Sequence, residues 1–244
     1  ALRLKESLGE LEIIALSVGA AFNSDVMKRA LAVGADDLVL VQDEFLDTWD
    51  AQPIAAALAL AIQHLGSADV IICGRQASDW DNALVPLTLA DTLGMPCLTL
   101  ARRLTVQGRR IEVERVLPEG IQTMSAALPA VVTVTNELGM LRYPTVRAKL
   151  AAARRQPQQL RLADLGPIPA HLPLLEVVEL AVPVVGRSCE FIEAADGAAG
   201  GARLAEVLME AGVLPQFKIQ NSKFKTEPPP WHLPLPLVEG RGEG

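Results

Sequence analysis

Between Leu11 and Cys73 the chain alternates short apolar runs with helix-patterned segments, and glycine or aspartate marks the changes. Leu11–Val18 is apolar and ends at Gly19, the pattern of a buried strand. Asn23 or Ser24 then offers an N-cap, and the spacing of DVMKRALAVG predicts a helix stopped by Gly34. Leu38–Val41 is the next strand. Asp50 caps a long alanine-rich helix over Ala51–His64, closed by Gly66, and Asp69 leads into the strand Val70–Cys73. Strand, helix, strand, helix, strand is the order of a parallel sheet with crossover helices. Half of the 244 residues are hydrophobic, enough to bury such a sheet on both faces.

After Cys73 the rhythm changes. A polar loop, Gly74–Asn82, precedes a helix over Pro86–Leu93 that ends at Gly94. Leu98–Leu104, Arg109–Val116, Ile121–Ser125 and Ala130–Val134 read as strands, with turns at Gly108 and Pro118–Gly120, and predict an antiparallel, β-rich extension. Val146–Arg155 reads as a helix, Gln156–Pro173 as a connector, Leu175–Val182 as a strand and Ala202–Ala211 as a short helix. Residues 214–244 are rich in proline and glycine and read as a disordered tail. The fold class is therefore α/β: a three-layer, mostly parallel sheet with crossover helices, a β-rich extension and a C-terminal arm. The expected divisions are 1–155, 156–213 and 214–244.

In an open parallel sheet, ligands sit beyond the carboxyl ends of the strands. Gly74–Asn82 lies there, between a strand and a helix whose free N–H groups and partial positive charge suit a phosphate. Ser78, Asp79, Asp81 and Asn82 offer short polar groups to a nucleoside, or they cap the helix. Trp80 stacks on a base or shields the loop. From Leu138 to Ala163 there are six basic residues and no acidic ones: Arg142, Arg147, Lys149, Arg154, Arg155 and Arg161. With Val146, Leu150 and Ala153 on one side of the helix, the stretch suits an acidic partner surface or forms a solvated helix face. The net charge of −7 and the lack of aromatics near those arginines, Tyr143 apart, argue against nucleic acid.

No apolar run reaches the roughly 18 residues of a membrane span. Cys73, Cys97 and Cys189 lack metal-type spacing and read as reduced thiols. His64, His171 and His232 pair with no nucleophile motif, so the chain reads as a binding or carrier subunit rather than an enzyme.

Four stretches, GADDLVLVQ, DVIICGRQASDWDN, LADTLGMP and LPAVVTV followed by LRYPTVRAKLAAARR, resemble the electron transfer flavoprotein beta subunit and its nitrogen-fixation-type paralogues, in register from about Leu2 to Val213. The adenine-nucleotide-hydrolase-like fold belongs to that resemblance, as does a heterodimer in which an alpha subunit holds FAD and the beta subunit holds a structural AMP. By motif match, AMP would lie against Val18, Asp79, Trp80, Asp81, Asn82, Ala83, Leu84, Val85, Pro86, Leu87 and Thr88. Arg142, Tyr143, Pro144, Val146, Arg147, Lys149 and Leu150 would form the docking surface for flavin dehydrogenases, such as those of fatty acid oxidation. Arg115 would lie toward the mobile flavin domain. The resemblance implies a cytoplasmic setting, or the mitochondrial matrix in a eukaryote.

Three departures accompany it. Ala83-Leu84-Val85-Pro86 replaces a run richer in donors; each lost hydrogen bond would weaken phosphate binding by about 1 kcal/mol. Val116 stands where the family has an acidic residue. The family also has a strand and loop ahead of the position of Leu2, so an exposed sheet edge is expected here. The competing readings are a stand-alone adenine-nucleotide-binding protein and a paralogue that has lost its nucleotide.

Overall fold

The structure is a computed structural model, and it describes residues 1–48, 50–169, 172–182, 186 and 189–213. The tail 214–244, His171 and His232 lie outside the described residues. The described residues up to 180 form one compact unit, and those from 181 to 213 fall in a second.

In chain order the first unit runs α1 (Leu2–Leu8), β1 (Ile14–Gly19), α2 (Ser24–Met27), α3 (Arg29–Val33), β2 (Asp37–Gln42), α4 (Ala51–His64), β3 (Val70–Gly74), α5 (Leu84–Leu93), β4 (Cys97–Gln107), β5 (Arg110–Leu117), β6 (Gly120–Ala127), β7 (Ala130–Val134), α6 (Val146–Arg154), β8 (Gln158–Leu160) and α7 (Leu162–Leu165). The second unit holds α8 (Gly197–Glu210). The predicted helix after Asn23 is broken at Lys28 into α2 and α3, with Asn23 Oδ1 accepting from the amides of Asp25 and Val26. The helix predicted from Ala202 starts five residues earlier, where the Asp196 carboxylate accepts the Ala199 amide and offsets the low helix propensity of three glycines.

The strands fall into two ladders, β1-β2-β8 and β3-β7-β4-β5-β6. β1, β2 and β8 pair in parallel, as do β3, β7 and β4, whereas β4-β5 and β5-β6 are antiparallel. The α/β class is as the sequence implies, but its sheet is divided. Helix α4 bridges the division. Ala57 and Ala61 pack with Val41, Leu16 and Val18 of the first ladder, while Ala55, Ala59 and Ile62 meet Ile71 and Cys73 of the second. Alanines at these buried positions let the helix backbone lie close to both ladders. Leu31, Ala32, Leu38, Leu40 and Ala152 form a cluster in which α3 and α6 pack on β2. The β4-β5-β6 extension shares a core with β7, in which Ile111 and Val113 of β5 pack with Ala130 and Val132 of β7.

Two expectations are corrected. Gln156–Pro173 is not a plain connector: Gln158–Leu160 adds a third strand to the first ladder, and Leu160 and Leu162 pack beside Val41. Leu175–Val182 is not a strand among the described residues. The amides of Leu174 and Leu175 donate to the buried Asp50 carboxylate instead of to a strand edge. Leu175, Val178 and Leu180 are mostly exposed. Leu175, Val177, Val178, Leu180 and Val182 do not alternate strictly, so the run has no single apolar face to bind it to a sheet edge.

Candidate functional site

The loop after β3 leaves the sheet at its carboxyl rim, as expected for a strand ending at Gly74. The Arg75 amide donates to Val134 O at 3.0 Å, which ties the loop's root to β7. The chain then folds tightly. The Asp81 amide donates to Ala77 O at 3.0 Å, and Gln76 Nε2 donates to the Asp81 carboxylate. Asp81 and Ala83 both take left-handed backbone angles, with φ of 54° and 53°. Such angles cost non-glycine residues energy, and Asp tolerates them better than Ala does. Two in three residues turn the chain sharply into α5.

α5 begins at Leu84, two residues before the predicted Pro86. Asn82 Oδ1 accepts the Leu84 amide at 3.3 Å, so Asn82 caps the helix from one residue outside the usual position. Pro86 is buried in the first turn, where its missing N–H costs the helix nothing. Val85 is left as a first-turn amide that neither Asn82 nor a proline ring removes. The Asp79 carboxylate turns inward to its neighbour, accepting the Trp80 amide at 2.9 Å. Trp80, Leu84 and Leu87 are each exposed by a little over two fifths, forming an apolar rim around the helix start. Thr88 is half-buried, and its carbonyl accepts the Thr92 hydroxyl at 2.8 Å. Val18 stands at the carboxyl end of β1, half-buried against Val41 and Ala57. The structure thus gathers residues 79–88 at one strand end and puts Val18 at the end of another. An open cavity of about 380 Å³ lies elsewhere on this rim, beyond β2, lined by Asp43, Phe45, Leu162 and Leu172 among others.

Cys73 is half-buried in β3 on the face that meets α4. Burial, with Cys97 nearby as the smaller cause, pushes its thiol up to about 11. The Cys97 thiol is also raised by burial. Both behave as apolar side chains rather than nucleophiles.

The second candidate surface is the segment 139–155. Thr145 Oγ1 accepts the Ala148 amide and starts α6. α6 buries only Ala152, against α3 and β2. Met140, Leu141 and Tyr143 are 87–90% exposed, Val146 is 74% exposed and Leu150 is 60% exposed. Arg147, Lys149 and Arg154 are exposed beside them. Of the other basic residues, Arg142 pairs with Glu6 and Arg155 pairs with Asp37 while donating to Asp36 O. Arg161 caps α7. The charge count of the sequence alone missed this division between tethered and outward-facing groups.

Arg115 is half-buried in β5. Its Nη1 lies 3.0 Å from Met124 Sδ, and its Nε is buried without a hydrogen-bond partner among the described residues. Another feature missed in the sequence is Thr133. β4 bulges between Leu98 and Ala101, where Leu100 has a φ of 63°. The buried Thr133 hydroxyl accepts the Leu100 amide at 3.0 Å, giving a partner to a group the bulge takes off the ladder. Threonine inside an otherwise all-apolar strand was the available signal.

Among the described residues no helix is long and apolar enough to cross a membrane, and no cluster of His, Cys, Asp or Glu is arranged to hold a metal. A family model described as the electron transfer flavoprotein domain matches residues 1–165. The electron transfer flavoprotein subunit beta of Megasphaera elsdenii is 35% identical over 71% of this chain and 67% of its own length. The protein of the same name from Mycobacterium leprae is 31% identical over 68% of this chain and 63% of its own. That of Thermoanaerobacterium thermosaccharolyticum is 31% identical over 67% and 62%. The chain therefore aligns with about two thirds of the length of these relatives.

Proposed function

The chain belongs to the electron transfer flavoprotein domain family, and from that premise we propose that it acts as a beta-type subunit that binds AMP as a structural ligand and pairs with an FAD-holding alpha subunit. Redox chemistry in such a complex belongs to the flavin, and the protein supplies binding, orientation and electrostatics. The observation that carries the reading is the turn at 79–84. Two left-handed residues and the Asn82 cap aim the first turn of α5 out of the sheet's carboxyl rim. That is where an open α/β sheet places a mononucleotide.

On this reading Val85 offers a backbone N–H to the phosphate, Trp80 and Leu84 flank the base or ribose, and Asn82 holds the turn. With Pro86 donating nothing and Leu84's amide engaged by Asn82, the phosphate is held by fewer donors than a helix start can supply. Binding should be correspondingly modest. The exposed stretch Met140–Leu150, with Arg147 and Lys149, would receive the acidic, partly apolar surface of a flavin dehydrogenase. Arg115 would face the flavin-bearing part of the partner. The cytoplasm, or the matrix of a mitochondrion, is the compartment consistent with this role.

Co-expression with an alpha-type subunit tests the reading. A yellow complex that holds FAD and releases AMP on denaturation is expected. Nucleotide binding by the isolated chain, together with no association with the flavin-holding subunit, would favour a stand-alone nucleotide-binding protein instead.

A further inference from the structure

Helix α1 buries none of its residues, yet it lies against a segment more than 130 positions away. Polar links hold it there. Arg3 Nη1 donates to Leu138 O at 3.0 Å. Arg142 Nη1 and Nη2 donate to the two carboxylate oxygens of Glu6 at 2.5 and 2.7 Å, a bidentate pair. Lys5 meets Asp36 at 2.6 Å, and the Ile13 amide donates to the same carboxylate. An open space of about 640 Å³, lined by Arg3, Arg102, Arg103, Glu114, Glu137 and Gly139 among others, lies beside the first of these links. Leu2 and Leu4 are half-buried, with Leu2 against Gly34, so the polar links act beside a limited apolar contact.

The two arginine links bracket Gly139–Leu141. Gly139 has a φ of 133°, and a Cβ there would come within 2.6 Å of Arg3 Nη2. The guanidinium lies against bare backbone that only glycine leaves open. Thr145 pins the far side by starting α6. Between these points stand Met140, Leu141 and Tyr143, without secondary structure of their own.

We infer that Arg3 and Glu6 of α1 form a salt-sensitive latch that positions the exposed apolar stretch Met140–Tyr143 for docking. Ordering such a loop before encounter lowers the entropy lost when a partner binds. Arg142 is thereby a tether within the chain and not a contact offered to the partner, which separates it from Arg147 and Lys149. The purpose of the latch rests on the docking role proposed above, but the latch itself is measurable without any partner.

Chymotrypsin cleavage after Leu141, followed by mass spectrometry on the full chain, is the test. Glu6→Gln should speed that cleavage about two- to fivefold, the range expected for losing one exposed ion pair, while cleavage elsewhere stays unchanged. Glu6→Arg should speed it further, and adding Arg142→Glu should restore the original rate. Molar NaCl should bring the unsubstituted chain close to the Glu6→Gln rate. Gly139→Ala, which displaces Arg3, should act as Glu6→Gln does. An unchanged rate in Glu6→Gln, failure of the charge swap to rescue, or a general rise in cleavage at all sites would overturn the latch. Normal latch behaviour with no effect on dehydrogenase turnover would leave the latch standing and remove the docking role.

Discussion

Single side chains decide where several segments of this chain end. Asp50 is 2% exposed and its carboxylate holds three amides, those of Gln52, Leu174 and Leu175. It was legible in the sequence as a helix cap; its second task, fastening a segment over 120 positions later, was not. Asp50→Ala should destabilise the first unit by about 2–4 kcal/mol, because it removes a cap and leaves two further donors without an acceptor. A lowered urea midpoint with unchanged slope would show it. Thr133→Val, which orphans the Leu100 amide, should cost about 1–3 kcal/mol by the same measurement. Asp36 gives a pH signature. Hydrogen bonds from Lys5 and Ile13 hold its carboxyl below the usual range, as Arg142 does for Glu6. A depressed folded value means the stabilisation is present above the ordinary carboxylate pKa, about 4, and is lost as pH falls through the lower folded value. The Ile13 amide resonance, which reports the Asp36 bond directly, should therefore titrate below that ordinary value.

At the scale of elements, hydrophobic period and caps located nearly every strand and helix of the first 134 residues, because each carries its own start and stop. Asn23, Asp50, Gly34 and Gly94 do that work locally. Failures came where the deciding partner is remote. Gln158–Leu160 becomes a strand only because β2 offers an edge, and among the described residues Leu175–Val182 stays irregular, its first amide held by the carboxylate of Asp50 far away in the sequence. The two-ladder division has a measurable consequence. β1 and β3 are each paired on one side only among the described residues, whereas β2 and β7 are paired on both. Continuously apolar strands are normally buried between neighbours, yet β1 and β3 are only half-buried while β2 and β7 are nearly fully so. Amide exchange should be faster at alternate positions of Ile14–Gly19 and Val70–Gly74 than anywhere in Leu38–Val41 or Ala130–Thr133. Equal protection across the four strands would mean that both free edges are covered.

For the molecule as a whole, the strand-loop-helix order that would present a nucleotide was readable from residues 69–93, and the backbone turn that aims α5 was not. Positive φ at Ala83 goes against that residue's own preference, and Asp81 adopts it inside a loop closed by Gln76, so neither angle could be read from the residue type. The outward stripe of α6 makes a prediction at this scale. Val146→Asp with Leu150→Asp should weaken dehydrogenase docking at least tenfold, seen as a rise in KM for the flavoprotein with the same AMP and FAD content. Apolar anchors at the centre of an interface carry most of its energy, and these two side chains are largely exposed among the described residues.

The central claim is that the rim formed by residues 79–88 holds an adenine mononucleotide in a complex whose flavin belongs to a second subunit. The most direct measurement is mass spectrometry of the small molecules released from the purified two-subunit complex, made with the unsubstituted chain and with Val85→Pro, which removes the remaining first-turn amide. The account predicts FAD and AMP in near-equal amounts from the first complex, and FAD with AMP reduced severalfold from the second. FAD alone from both complexes, or AMP unchanged by the substitution, would contradict it.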